Sequence, residues 1–256
     1  CGLGACGAGT SLRGLSGDHA AQATAKQTLL GLMEPPRSGP ELCGPSERAR
    51  ATLLLAELTL ASDPMARAEA RALLHKAQAL VPTGDLLLLE EVARAQVGIG
   101  DNATAATLQK QVLARLPDRR RSRLLLAQAL LATGLGTEAD SILAPLTSGP
   151  TMRDAEATVL KGQALLLQSD TLAAQKLTRL LLANPGLPAA VRYDTQLLSA
   201  QVFLTLQEPL SARRVLEPLL KLAVSPVVDG KTPQPTREQK LSVQVLSAQT
   251  LLALRP

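Results

Sequence analysis

Four prolines set a period. Pro82, Pro117, Pro150 and Pro185 stand 35, 33 and 35 residues apart, and each closes an alanine- and leucine-rich stretch long enough for two helices. Self-similarity near this length in a helical pattern describes hairpins that each bury an apolar face against the next, rather than around one common centre. Apolar residues are 46% of the chain but aromatics only 1%, with Tyr193, Phe203 and no tryptophan, so the bulk that a large single core draws from rings is missing. Leucine and alanine, the strongest helix formers, fill the interior instead. Runs of β-branched residues that would mark strands are absent. The expected fold is all-α, a right-handed α-solenoid of helical hairpins with capping helices.

Breakers place the elements. A first helix is expected over 18–33, with Asp18 as N-cap and Pro35-Pro36 as its stop, followed by a loop over 34–46. Helix pairs are expected at 46–61 with 66–80, 85–98 with 103–115, 119–133 with 137–147, 152–168 with 171–183, and 188–206 with 209–223. Their turns fall at Ser62-Asp63-Pro64, 98–102, 134–136, Ser169-Asp170 and 207–209. A proline-rich loop over 225–236 precedes a last helix over 237–254.

Ala70, Leu74, Ala77 and Pro82 follow one another at spacings of 4, 3 and 5, and Ala173, Leu177, Leu180 and Pro185 repeat those spacings. The pattern resembles the tetratricopeptide-repeat family, whose second helix carries small, bulky and small residues ahead of a proline. Small residues let neighbouring helices approach, and the proline ends the hairpin. The resemblance covers about residues 46–224, roughly five units. Leucines replace the large aromatics of the family's first helix, and Gly162 stands about one position out of register. Gln109 takes a bulky position, and Leu146 takes a small one after Ala139 and Leu143. The helices before 46 and after 236 are read as caps on the two end faces. Thus residues 18–256 are read as the solenoid and 1–17 as a separate tether.

The chain begins Cys1-Gly2. This resembles a bacterial lipoprotein, cut just before a cysteine that receives lipid. The resemblance implies a covalent lipid on Cys1 and, with glycine rather than aspartate following, an address at the periplasmic face of the outer membrane. Gly2, Gly4, Gly7, Gly9, Gly14 and Gly17 suit a flexible tether. With Cys1 acylated, Cys6 and Cys43 remain as an even pair in an oxidising compartment. A bridge between them would stabilise by about 3–4 kcal/mol in the chain-entropy model; two free thiols are the alternative.

The net charge of +5, from 27 basic and 22 acidic residues, permits an acidic partner or anionic headgroups. With so few aromatics there is no platform for stacked bases, and no nucleic-acid partner is expected. Leu86, Leu87, Leu88 and Leu89 run straight into Glu90 and Glu91, and nowhere does an apolar run approach the ~18 residues of a membrane span.

No catalytic constellation stands out. Gly2, Gly4 and Gly7 satisfy a dinucleotide-binding spacing, but no strand precedes them. His19 and His75 are too far apart to be helix-spaced ligands, and adjacent Glu90 and Glu91 point about 100° apart on a helix. Asn102-Ala103-Thr104 reads as a helix start with Asn102 as N-cap rather than as a sugar acceptor. The expectation is no enzyme, no metal and no cofactor beyond the lipid.

Arg119, Arg120, Arg121 and Arg123 open a helix. Positive charge there opposes the helix dipole at about 0.3–1 kcal/mol each, which makes the cluster a candidate partner-binding site. A solvated face, or neutralisation by Asp118 and neighbouring acids, is the alternative. The first helices offer leucine, alanine and glutamine rather than the lysine, asparagine and arginine of a carboxylate clamp. Such a groove suits an amphipathic or hydrophobic segment of a partner, unless those leucines are consumed in the core. The functional expectation is a lipid-anchored, non-enzymatic scaffold for a secretin-like subunit of a pilus or secretion machine, acting like a pilotin. Polysaccharide export, outer-membrane assembly and a soluble adaptor stay open.

Overall fold

A computed structural model describes residues 19–33, 44–148, 154–224 and 235–254. They form α1 His19–Met33, α2 Pro45–Ser62, α3 Arg67–Leu80, α4 Leu86–Gly98, α5 Asn102–Arg115, α6 Arg120–Ala132, α7 Gly136–Thr147, α8 Ala155–Leu167, α9 Thr171–Leu182, α10 Ala189–Thr205, α11 Pro209–Val224 and α12 Arg237–Ala253, and no strand occurs among the described residues. Each expected helix is present. Asp18, Cys1, Cys6, Cys43 and the tether over 1–17 lie outside the described residues.

Two compact units divide between Ala129 and Leu130, inside α6. In unit 1, α1 packs on α2, α2 pairs with α3, α4 pairs with α5, and the successive first helices α2 and α4 touch directly. In unit 2, α7 packs on α8, α8 pairs with α9 and α10 with α11, while α8, α10 and α12 follow one another in contact. Each unit is a run of stacked helical hairpins, and the fold is an α-solenoid.

First and second helices do different work in this stacking. A second helix has one covered side, so it shows one buried stripe: Ala70, Leu74 and Ala77 in α3, Ala212, Leu216 and Leu219 in α11. A first helix lies between its own partner and the next first helix, and is covered on several sides. In α4 this buries Leu88, Glu90, Val92, Ala93, Ala95 and Gln96. Leu53, Leu55 and Leu58 of α2, Leu88 of α4 and Leu198 of α10 are therefore core residues, whereas Leu87 of α4 and Leu167 of α8 stay 53% and 50% exposed.

The fourth hairpin corrects the proline-based register. In α9 the buried stripe is Ala174, Thr178 and Leu181, one residue later than expected, and Leu180 is 61% exposed. Leu181 stands 4 residues before Pro185, where Ala77 stands 5 before Pro82, so the helix reaches closer to its proline. Gly162 shares the offset. A methyl added there would collide with Leu198 of α10 and crowd Leu177 of α9, so the glycine marks where successive helices meet.

The hairpin turns repeat one geometry. Gly100, Gly134, Ser169 and Gln207 have φ of 81°, 79°, 63° and 61°. The next amide in each case donates to a carbonyl five residues back: Asp101 to Gln96, Leu135 to Leu130, Asp170 to Leu165, and Glu208 to Phe203. This left-handed residue with its crossing bond closes the end of a helix. The α2–α3 turn differs, with Asp63 Oδ1 accepting the Met65 amide at 2.8 Å. At the helix starts, Asp85, Asp154 and Asp170 accept amides of Leu88, Ala157 and Ala173. The N-cap of α5 is Asp101 rather than the expected Asn102.

Candidate partner-binding surface

The candidate surface of unit 1 lies on α2, α4 and the start of α6. Arg94 Nη2 of α4 donates to Glu57 Oε1 of α2 at 3.1 Å, and this pair stands over a notch of about 210 Å³ lined by Ala56, Leu60, Leu74, Ala95 and Gly98. The notch is a small apolar recess with a charged lip.

Glu90 lies one turn before Arg94, and its side chain turns inward to 1% exposure. A buried carboxylate is tolerated only with partners that replace water. Arg119 supplies two bonds, Nε to Oε2 at 2.9 Å and Nη2 to Oε1 at 3.4 Å, and Ser122 Oγ donates to Oε2 at 2.5 Å. Arg121 Nε lies 3.3 Å from Oε1, and Gln109 Nε2 donates to the Glu90 carbonyl at 3.4 Å. Burial alone would raise the carboxyl pKa. The bonds from Arg119 and Ser122 and the charges of Arg119 and Arg121 outweigh it and hold Glu90 below its ordinary value.

The four arginines singled out from the sequence are thus brought together at one turn, in two roles. Arg119 and Arg121 neutralise Glu90 while staying partly open to solvent. Arg120 is exposed and Arg123 half-buried, and neither is unpartnered. Glu90 is thus the acid that holds Arg119 and Arg121 at this turn. The sequence reading missed Glu90 as their anchor. The available signal was a carboxylate directly after a leucine run, with basic residues one repeat later.

Glutamines replace aromatic bulk beside this network. Gln96 and Gln109 are fully buried; Gln96 Nε2 donates to Gln78 Oε1 at 3.3 Å, while the Oε1 atoms of Gln96 and Gln109 have no partner. His75 is exposed, with Nε2 3.5 Å from Asp101 Oδ2 and Arg71 Nε 3.8 Å from the same oxygen. Among the described residues no three His, Cys, Asp or Glu side chains gather as a metal site, and no helix is long and apolar enough to cross a membrane.

Unit 2 holds a different polar cluster. Asp194 of α10 accepts from Gln239 Nε2 of α12 at 2.6 Å. Burial, with the charge of Glu156 adding to it, raises the Asp194 pKa against the lowering effect of that bond. Tyr193 next to it is buried with an unpartnered hydroxyl, and burial and Asp194 push its pKa up.

No protein-family profile and no curated protein matches the chain. Among solved structures, a tetratricopeptide repeat protein from Parabacteroides merdae ATCC 43184 superposes with a TM-score of 0.67 at 13% identity, covering 92% of this chain and 81% of that one. The fold is of the tetratricopeptide-repeat type. At that identity the likeness extends to the fold alone, so function rests on the side chains above.

Proposed function

We propose that this chain is a non-enzymatic scaffold that holds a protein partner on the first-helix surface of unit 1. The observation that carries the reading is the arginine turn at the start of α6, where Glu90 fixes Arg119 and Arg121 in place while both guanidiniums stay partly open to solvent. Fixed guanidiniums lose little freedom on binding and take carboxylates in a defined orientation. The Glu57–Arg94 notch on the neighbouring helices accepts a small apolar side chain. The matching partner segment carries acidic residues flanking an apolar one.

In this reading the scaffold serves a pilus or secretion machine as a pilotin does, from the periplasmic face of the outer membrane, through a lipid on Cys1. The glycine-rich stretch over 1–17 supports a tether there. The test of the partner surface is a photo-crosslinking residue at Leu125, beside the arginine turn, in cells that make the protein. A crosslink to one envelope subunit that is lost in Arg120→Glu/Arg123→Glu is the expected result, and a pattern indifferent to those substitutions ends the proposal. A secretin rather than a polysaccharide-export subunit in that adduct identifies the machine. Mass spectrometry of the native N-terminal peptide tests the anchor separately, and an unmodified Cys1 removes it.

A further inference from the structure

The last helix carries two apolar faces on opposite sides. Val243 and Leu246 pack with Tyr193, Ala200, Leu216 and Leu219 of α10 and α11. On the other side Leu241, Val245, Ala248 and Leu252 form a second stripe, exposed by 52%, 55% and 62% at its three larger residues. No charged side chain interrupts the helix between Lys240 and its end at Ala253. A helix that only caps a solenoid turns a polar face to water. The cap expected after residue 236 covers the hairpin before it, then presents an apolar stripe of its own.

The stripe reads the same in both directions. Its spacings are 4, 3 and 4, centred between Leu246 and Ser247. A two-fold axis through that centre lays a second α12 antiparallel on the first, with Leu241 against the copy's Leu252 and Val245 against the copy's Ala248. The smaller residues then sit at the crossing, where helix axes approach to about 8–10 Å, and the leucines close over the ends. The helix dipoles favour the same arrangement. Arg237 continues the stripe one turn before Leu241, and antiparallel pairing sets it beside the copy's C-terminal carbonyls, the negative end of a helix whose last turn carries no basic residue. Parallel pairing would set Arg237 and Lys240 against themselves. The stripe is also held ready: Thr236 and Gln239 form a capping box, and Gln239 Nε2 binds Asp194 of α10.

We infer that α12 is a two-fold docking face and that its occupant is a second copy of this chain. The inference is independent of the partner surface in unit 1, and the two can fail separately.

Sedimentation velocity on the full chain between about 1 and 100 µM tests it. The expected result is a shift from a 26.8 kDa species toward twice that mass as concentration rises. Val245→Glu sets two carboxylates near the axis and raises the dissociation constant at least ~100-fold. Its helix content and melting stay unchanged, because the side chain is exposed in the single chain. V245E/A248K places each new carboxylate across from the copy's new ammonium and restores association. A mass of 26.8 kDa throughout overturns the inference and leaves the stripe to another protein's helix. A dimer indifferent to V245E, or a double variant that stays monomeric, overturns it equally.

Discussion

In unit 1, Glu90 enters the interior of α4 among two guanidiniums, a hydroxyl and an amide. In unit 2, Asp194 of α10 has one neutral amide for company, and the charge that acts on it, Glu156, is negative. Both sit on first helices and both lose water, yet their pKa values move in opposite directions. Choice of neighbour, more than depth, decides whether a buried carboxylate steadies a repeat or burdens it.

The signs of the pH dependence follow from linkage. Glu90 titrates lower in the folded chain, so its contribution is complete above its ordinary value of 4.5 and is lost as pH falls through the lowered value. Asp194 titrates higher when folded than its ordinary 3.8, so its ionised form burdens the fold at neutral pH, and acid relieves the burden as pH falls through the raised value.

The largest expected effect breaks the compensated site. Glu90→Ala leaves Arg119 and Arg121 facing each other over a void and lowers stability by about 3–5 kcal/mol in urea unfolding. A cost no greater than that of Asp194→Ala would erase the contrast between the two units. Next, Gly162→Ala drives a methyl into Leu198 and costs about 1–3 kcal/mol in unit 2 by the same measurement. The turns extend the contrast, since unit 1 places glycine at its left-handed turn residue and the last two turns of unit 2 do not. Ser169→Gly and Gln207→Gly should each raise stability by about 1 kcal/mol, read as a higher urea midpoint at constant slope. The smallest effect is Asp194→Asn, which keeps an oxygen for Gln239 and adds at most about 1 kcal/mol at pH 7. That gain should shrink as pH falls toward 4, and a gain that grows in acid would mean the Asp194 pKa is not raised.

The proline period was enough to place the helices, because breakers and apolar spacing are local properties. It misplaced the stripe of α9, since the distance from a helix to its proline varies by one residue and each such change turns a helix by about 100°. It also left the use of the leucines undecided, because a run of leucine does not say how many neighbours a helix has. The Glu90 network was hidden for a different reason. Its partners Arg119 and Ser122 stand 29 and 32 residues along the chain, close to one repeat, so only alignment of successive repeats puts the charges side by side. Whether Cys6 meets Cys43 falls outside the described residues, and the arginine turn was legible as a cluster but not as one anchored on Glu90.

Gln239 occupies both ends of one amide: its oxygen accepts the Thr236 amide that opens α12, and its nitrogen holds α10. Starting the terminal helix and fastening it are therefore a single event. Cutting this latch, as by Gln239→Leu, unwinds the first turn and loosens the helix from its seat together, so any assembly built through α12 would be switched by one side chain on the opposite side of the helix from the contact.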